Sequence, residues 1–288
     1  MNAKRVGGVR GVRAAIVPLL ALVALVAAAA DIAAVPDGVA GADLVGVFAR
    51  EVDRRLDVPA GEQEAYIRRL EGGLEAAGLT QLPAQYVFLV DRSAMVQAGF
   101  LIWRSPNASW EFIGAMPVST GRPGSFEHFL TPLGVFAHTL SNPDFRSEGT
   151  LNKNGIRGYG RRGMRVFDFG WVTGERGWGR GGSSPMRLQL HATDPDLLEP
   201  RLGRRESKGC IRVPASLNEF LDRRGVLDAE YLRAAERGER LWVLRPDREP
   251  TRWPGKYLVI IDSERTARPD WTRPGPARLA RAGAQEGC

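Results

Sequence analysis

Gln85-Tyr86-Val87-Phe88-Leu89-Val90 is the stretch on which the fold turns. From Gln85 the texture of the chain changes: residues 86–90 are a compact run of β-branched, aromatic and aliphatic side chains, closed by the turn-forming Asp91-Arg92-Ser93. Met95–Trp103 and Trp110–Val118 repeat the pattern, with Ser105-Pro106-Asn107 between them. Downstream, Gly134–Thr139, Met164–Phe169, Met186–His191, Gly209–Val213, Leu241–Leu244 and Tyr257–Ile261 read as further short strands. Strands at this spacing predict a mainly β body, mostly antiparallel. A helix is expected from about Ala215 to Arg224, with Leu217, Phe220 and Leu221 as its buried stripe and Gly225 as its stop. A second short one is expected around Asp228–Glu236.

Upstream of Gln85 the period is helical. Leu44, Phe48, Val52 and Leu56 recur every four residues, until Pro59 and Gly61 break the stripe. Tyr66, Ile67, Leu70 and Leu74 predict a second helix over about Glu62–Ala77, stopped by Gly78. The two read as a small helical preamble, with residues 31–42 as a linker and 31–84 as a linker-and-helix region. Residues 263–288, rich in Arg, Pro, Gly and Ala, read as a disordered tail.

Residues 14–30 form an uncharged apolar run behind Lys4, Arg5, Arg10 and Arg13, with Ala28 and Ala30 in a small-x-small pattern. This is the layout of a secretory signal peptide cleaved after Ala30. The run also approaches the length of a membrane span, so an uncleaved inner-membrane anchor is the rival reading. Either way the rest of the chain is expected outside the cytoplasm, in the periplasm or cell envelope. Losing those four basic residues takes the formal charge from +7 to +3, which weakens any nucleic-acid reading of the basic composition. With 43% hydrophobic and 25% charged residues the composition is ordinary for a globular chain, and 34 Gly with 19 Pro favour strands and loops over a helical bundle. Cys210 and Cys288 are the only cysteines, too few for a disulfide-stapled scaffold.

The chemistry gathers at Ser207-Lys208-Gly209-Cys210-Ile211-Arg212-Val213. A thiol directly after a glycine, at the start of a strand-like run, allows sharp backbone geometry and a close substrate approach. Amide N–H groups around such a turn can converge on an acyl-transfer oxyanion. A thiol nucleophile also needs a base. His191 ends the strand-like Met186–Leu190 run, 19 residues before Cys210, and Pro195, Pro200 and Gly203 let the intervening stretch fold back. His128 and His138 flank Thr131–Phe136 and read as structural or surface residues, with His138 also able to line a pocket. Trp171 and Trp178 read either as a lid over the cleft or as core. A zinc site on His191 and Cys210 lacks the pairwise ligand spacing of zinc motifs.

In order along the chain, Pro117-Val118-Ser119-Thr120-Gly121, Thr131-Pro132-Leu133-Gly134-Val135-Phe136, His191-Ala192-Thr193 and Ser207-Lys208-Gly209-Cys210-Ile211-Arg212 resemble the motifs of the L,D-transpeptidase (YkuD-like) family. The resemblance covers about residues 85–262, and departs from the family at Lys208, where a histidine is usual. It implies a YkuD-like β-sandwich or barrel. It also implies a cysteine acyltransferase that works on peptidoglycan stem peptides as donor and acceptor, with no metal or organic cofactor. Residue by residue, it implies Cys210 as nucleophile and His191 as base, with the Ala192 carbonyl holding the imidazole tautomer. Gly209 and Cys210 would supply oxyanion N–H groups, and Ser207 would support the loop. Arg212 would clamp a substrate carboxylate, and Lys208 would act on the thiol or lie at the surface. Hydrolysis of the same thioester, by an L,D-carboxypeptidase or amidase, and a non-catalytic wall-binding module are the alternatives.

Overall fold

The computed structural model describes residues 39–273. The stretch 1–30 read as a leader and Cys288 lie outside the described residues. Ten strands and four α-helices follow one another as α1 (Val39–Glu51), α2 (Ala60–Ala76), β1 (Gln85–Asp91), β2 (Ala98–Arg104), β3 (Trp110–Pro117), β4 (Phe129–Leu130), β5 (Gly134–Ala137), β6 (Phe145–Arg146), β7 (Arg165–Arg176), β8 (Ser183–Ala192), β9 (Ile211–Val213), α3 (Ala215–Arg224), α4 (Ala229–Glu236) and β10 (Tyr257–Ile261).

The strands form two sheets. The first runs β3-β2-β1-β10-β5, and the second runs β4-β7-β8-β9 with β6 also on β7. Both are mixed, because β1 pairs with β10 and β8 with β9 in parallel. The fold is therefore β-rich, as composition and periodicity predict, but the sheets are open and do not close into a barrel. Among the described residues six of the eight strand pairings are antiparallel, as the spacing predicts; of the two parallel ones, β1–β10 joins the ends of the sheet-forming chain and β8–β9 joins consecutive strands.

Every residue of β1 is buried. Tyr86, Phe88 and Val90 face a core shared with the second sheet, α1 and α3, while Val87 and Leu89 face a second core under α2. A strand covered on both sides needs an unbroken apolar run, which is why 86–90 shows no alternation. The helices read as a preamble thus lie on opposite faces of the first sheet. α1 brings Phe48 edge-on to Phe220 of α3 at 5.5 Å, and Gly114 makes room for its ring. α2 ends as Gly78 takes φ +73° and the N–H of Leu79 reaches back to the carbonyl of Leu74, the reciprocal closure that glycine permits.

Three expectations need correction. α1 starts at Val39, inside the stretch read as linker. Leu241–Leu244 forms a turn, with the Leu244 N–H on the Leu241 carbonyl, and it meets the edge strand β6 through a side chain, Arg146 donating to the Val243 carbonyl. The stretch read as a tail is ordered through residue 273: the Trp271 ring meets Tyr66 edge-on at 5.8 Å, and Arg268 donates to the carbonyls of Ala94 and Gly203. Composition alone could not reveal a single aromatic anchor in a polar segment.

Between β7 and α3 lies a buried charge cluster. Arg165, fully buried, binds Asp144 at 2.6 Å and Asp228 at 2.7 Å, and His138 lies 2.8 Å from Asp144 with its ring stacked on Tyr231. His138 is thus wholly internal and belongs to the scaffold. Removing one member of such a cluster strands the others' charge and costs about 3–5 kcal/mol.

Candidate active site

The alternation Arg187-Leu188-Gln189-Leu190-His191 sets the site. Leu188 and Leu190 enter the core, so Arg187, Gln189 and His191 fall on the opposite, outer face of the second sheet. On β9, Ile211 and Val213 likewise point inward. The parallel register pairs Leu190 with Ile211 and His191 with Arg212. Cys210, one step earlier, lies beside Gln189, whose main chain hydrogen-bonds to the sulfur. The thiol and the imidazole therefore share one face, a diagonal step apart.

His191 is 3% exposed. Its Nδ1 lies 2.7 Å from the Ala192 carbonyl oxygen. A carbonyl only accepts, so Nδ1 carries the hydrogen and Nε2 presents its lone pair. Burial pushes the imidazole down to about 4, against the Ala192 bond and with help from the Arg212 charge. The imidazole is neutral at pH 7. Burial also pushes the Cys210 thiol up from its ordinary value, opposed chiefly by the Arg212 guanidinium and by main-chain hydrogen bonds. The resting pair is thus a neutral thiol and a neutral imidazole. The thiol's own contact runs to the Arg187 carbonyl at 4.0 Å, and no hydrogen bond joins it to the imidazole among the described residues. Such contacts commonly tighten only when substrate binds.

The loop before the cysteine is fixed by two hydroxyls. Ser207 Oγ accepts the Gly209 N–H at 3.0 Å and donates to the Cys210 carbonyl. Thr131 Oγ1 donates to the Gly209 carbonyl at 2.7 Å and accepts the Gly121 N–H at 2.9 Å. Gly209 itself takes φ +133°, and a Cβ there would stand 2.8 Å from Met186 Cε. Only glycine meets both demands. The 117–121 segment pairs with the motif, Ser119 exchanging hydrogen bonds with Arg212 and Thr120 accepting from Glu206 and Ser207. Gln97, buried, in turn holds Thr120 through both its amide atoms.

Some expected roles shift. The Gly209 N–H is taken by Ser207, so it is no free oxyanion donor in this arrangement. Lys208 points away from the thiol into solvent, where its Nζ meets Glu127 at 3.3 Å. The cation acting on the sulfur is instead Arg212, partly buried with Nη1 on the Glu206 carbonyl at 3.2 Å. Trp171 is 67% exposed on the outer face, and Trp178 packs edge-on against Phe129 at 4.8 Å.

Four neighbours escaped sequence reasoning. Tyr159 sets its ring edge-on to His191 at 4.7 Å and its hydroxyl 3.2 Å from Gln189 Oε1. Asp168, 1% exposed, accepts from Gln189 Nε2 at 2.9 Å and from Arg187 Nε at 2.8 Å. The polar–apolar alternation of 187–191 carried enough signal to put Arg187 and Gln189 beside His191; Tyr159 arrives from a loop with no local pattern. Among the described residues no cluster of three or more His, Cys, Asp or Glu side chains could hold a metal ion. No protein-family model matches the chain, and no curated protein matches it either.

Proposed function

We propose that this chain is a peptidoglycan L,D-transpeptidase with a YkuD-like catalytic fold, exported by its leader or anchored by it. What supports the reading most is that the one described cysteine and a tautomer-fixed histidine share the outer face of β8 and β9. The ordered motifs 117–121, 131–136, 191–193 and 207–212 support it further, since all four meet around that thiol.

In this reading His191 Nε2 takes the thiol proton as Sγ bonds to the carbonyl carbon of the third stem residue. The Cys210 N–H is the remaining candidate donor to the resulting oxyanion. As the intermediate collapses, the C–N bond to the fourth residue breaks and His191 returns the proton to the leaving amine. The side-chain amine of an acceptor stem then attacks the thioester, loses its proton to His191, and releases the thiol.

The test is incubation of the purified protein with disaccharide tetrapeptide and mass analysis of the products. Cross-linked dimers are expected, and Cys210→Ala abolishes them. Tripeptide without dimers would mean hydrolysis, and full turnover by Cys210→Ala would remove the proposed nucleophile. Carbapenems should add once to the wild type and not to Cys210→Ala.

A further inference from the structure

We infer that Arg187 and Trp171, side by side on the thiol's face of the second sheet, form a recognition site for a carboxylate carried by the acyl donor. The inference rests on Cys210 being the acyl-accepting group, and goes beyond it by naming what the donor must carry.

Arg187 and Trp171 are opposed in register across β7 and β8. They meet only because β7 bulges: Asp168 faces Gln189, but three residues of β7 then span two of β8. Bulges of this kind re-aim a side chain. The bulge is built in, since Gly170 takes φ +85° with its N–H on Asp168 Oδ1 at 2.8 Å, and a Cβ there would strike the Asn142 amide. Its consequence is a guanidinium 5.9 Å from the Trp171 ring centroid, on an exposed part of the sheet.

The guanidinium is held from behind and free in front. Asp168, buried, takes only its Nε, and no hydrogen bond among the described residues uses Nη1 or Nη2. The side chain is 38% exposed. A planar fork fixed at one edge and stacked on one face is pre-organised for bidentate pairing with a carboxylate. Arg212, the residue that sequence pointed to for this task, is partly buried and occupied by the Glu206 carbonyl.

Position sets the substrate class. The Arg187 carbonyl is the thiol's own contact, and alternate residues on a strand face lie about 6.6 Å apart. A carboxylate on Arg187 therefore sits a few covalent bonds from the carbonyl under attack, on the acyl residue itself or its immediate neighbour. Donors with a free carboxylate there are favoured over the amidated form.

The deciding experiment needs no turnover. Cys210 is alkylated with iodoacetate and, separately, iodoacetamide, and peptide mapping keeps Cys288 apart. The ratio of the two rates reads the local preference for a carboxylate. Arg187→Gln is expected to lower that ratio roughly 3- to 10-fold, the range for removing one partly screened neighbouring charge. Arg187→Lys keeps most of it. Trp171→Ala, a substitution at an exposed position, lowers it about twofold by freeing the guanidinium. If Arg187→Gln does not fold, Trp171→Ala decides alone. A ratio unchanged in the variants that fold overturns the inference. Missing cross-linking by the wild type with an intact ratio effect would instead count against transpeptidation alone.

Discussion

His191 and Arg212 stand directly opposite each other across the parallel β8–β9 pair. That single register brings the site together. It gives the imidazole and the thiol two residues before Arg212 the same face, and it sets the Arg212 charge against both. The same guanidinium lowers the imidazole and opposes the rise of the thiol. A slip by one residue would turn the thiol into the core, so the Ser119–Arg212 hydrogen bonds that lock β9 from its other side are part of the site.

Gly209→Ala should disable the thiol while leaving the fold. The new methyl group meets Met186 and Phe129 at a φ that side chains rarely adopt. Overpacking of this kind costs about 1–3 kcal/mol. The cheaper relief is for the short loop to shift, moving Cys210 off its face. Iodoacetamide labelling of Cys210 is expected to change at least tenfold, while urea unfolding stays cooperative. Unchanged labelling would show that the glycine does not set the position of the thiol.

Thr131→Val tests the second hydroxyl. It leaves the Gly121 N–H and the Gly209 carbonyl without their shared partner in a buried place. Each unsatisfied group costs about 1–3 kcal/mol, so thermal stability should fall clearly. Thr131→Ser keeps the hydroxyl and should recover most of the loss.

How far the chain could be read from sequence follows from what each signal depends on. α2 and α3 were legible because burial on one face imposes a helical period, and β1 and β10 because burial on both faces leaves an unbroken apolar run. Cys210, His191 and the Thr131 segment were legible because each lies in a short local motif. The parallel β1–β10 pair was not, since it joins residues as distant as Val87 and Tyr257. Nor was Tyr159, whose place depends on how a long loop folds back on β8. The order of 263–273 rests on Trp271 finding Tyr66 across the chain, a contact without a local trace.

Arg212→Met should push the Cys210 thiol further up. Burial already raises it, and the guanidinium is the largest opposing influence. Followed by thiolate absorbance, the wild-type ionisation should fall on the alkaline side of 9.0, with no second ionisation below neutrality. The variant should ionise later still and be alkylated more slowly at neutral pH. An acidic ionisation in the wild type would mean a resting thiolate–imidazolium pair, at odds with a buried, neutral His191.

The pH dependence of stability carries the last prediction. His191 falls from 6.5 to about 4 on folding. Between those values the unfolded chain binds the extra proton and the folded chain does not, so stability rises with pH across that window. The contribution is complete above 6.5 and is lost as pH falls toward 4, amounting to about 3 kcal/mol. His138 has the opposite sign. The Asp144 carboxylate holds it above 6.5 despite burial, so its contribution is complete below 6.5 and is lost as pH rises through the raised value. Asp144, held low by His138 and Arg165, adds stability above 3.8 that disappears only in stronger acid. Urea unfolding across pH should therefore give a maximum near neutrality. His191→Gln, which cannot titrate, should flatten the limb between 4 and 6.5 and leave the alkaline limb unchanged. An acid limb as steep in His191→Gln as in the wild type would assign that proton to another group.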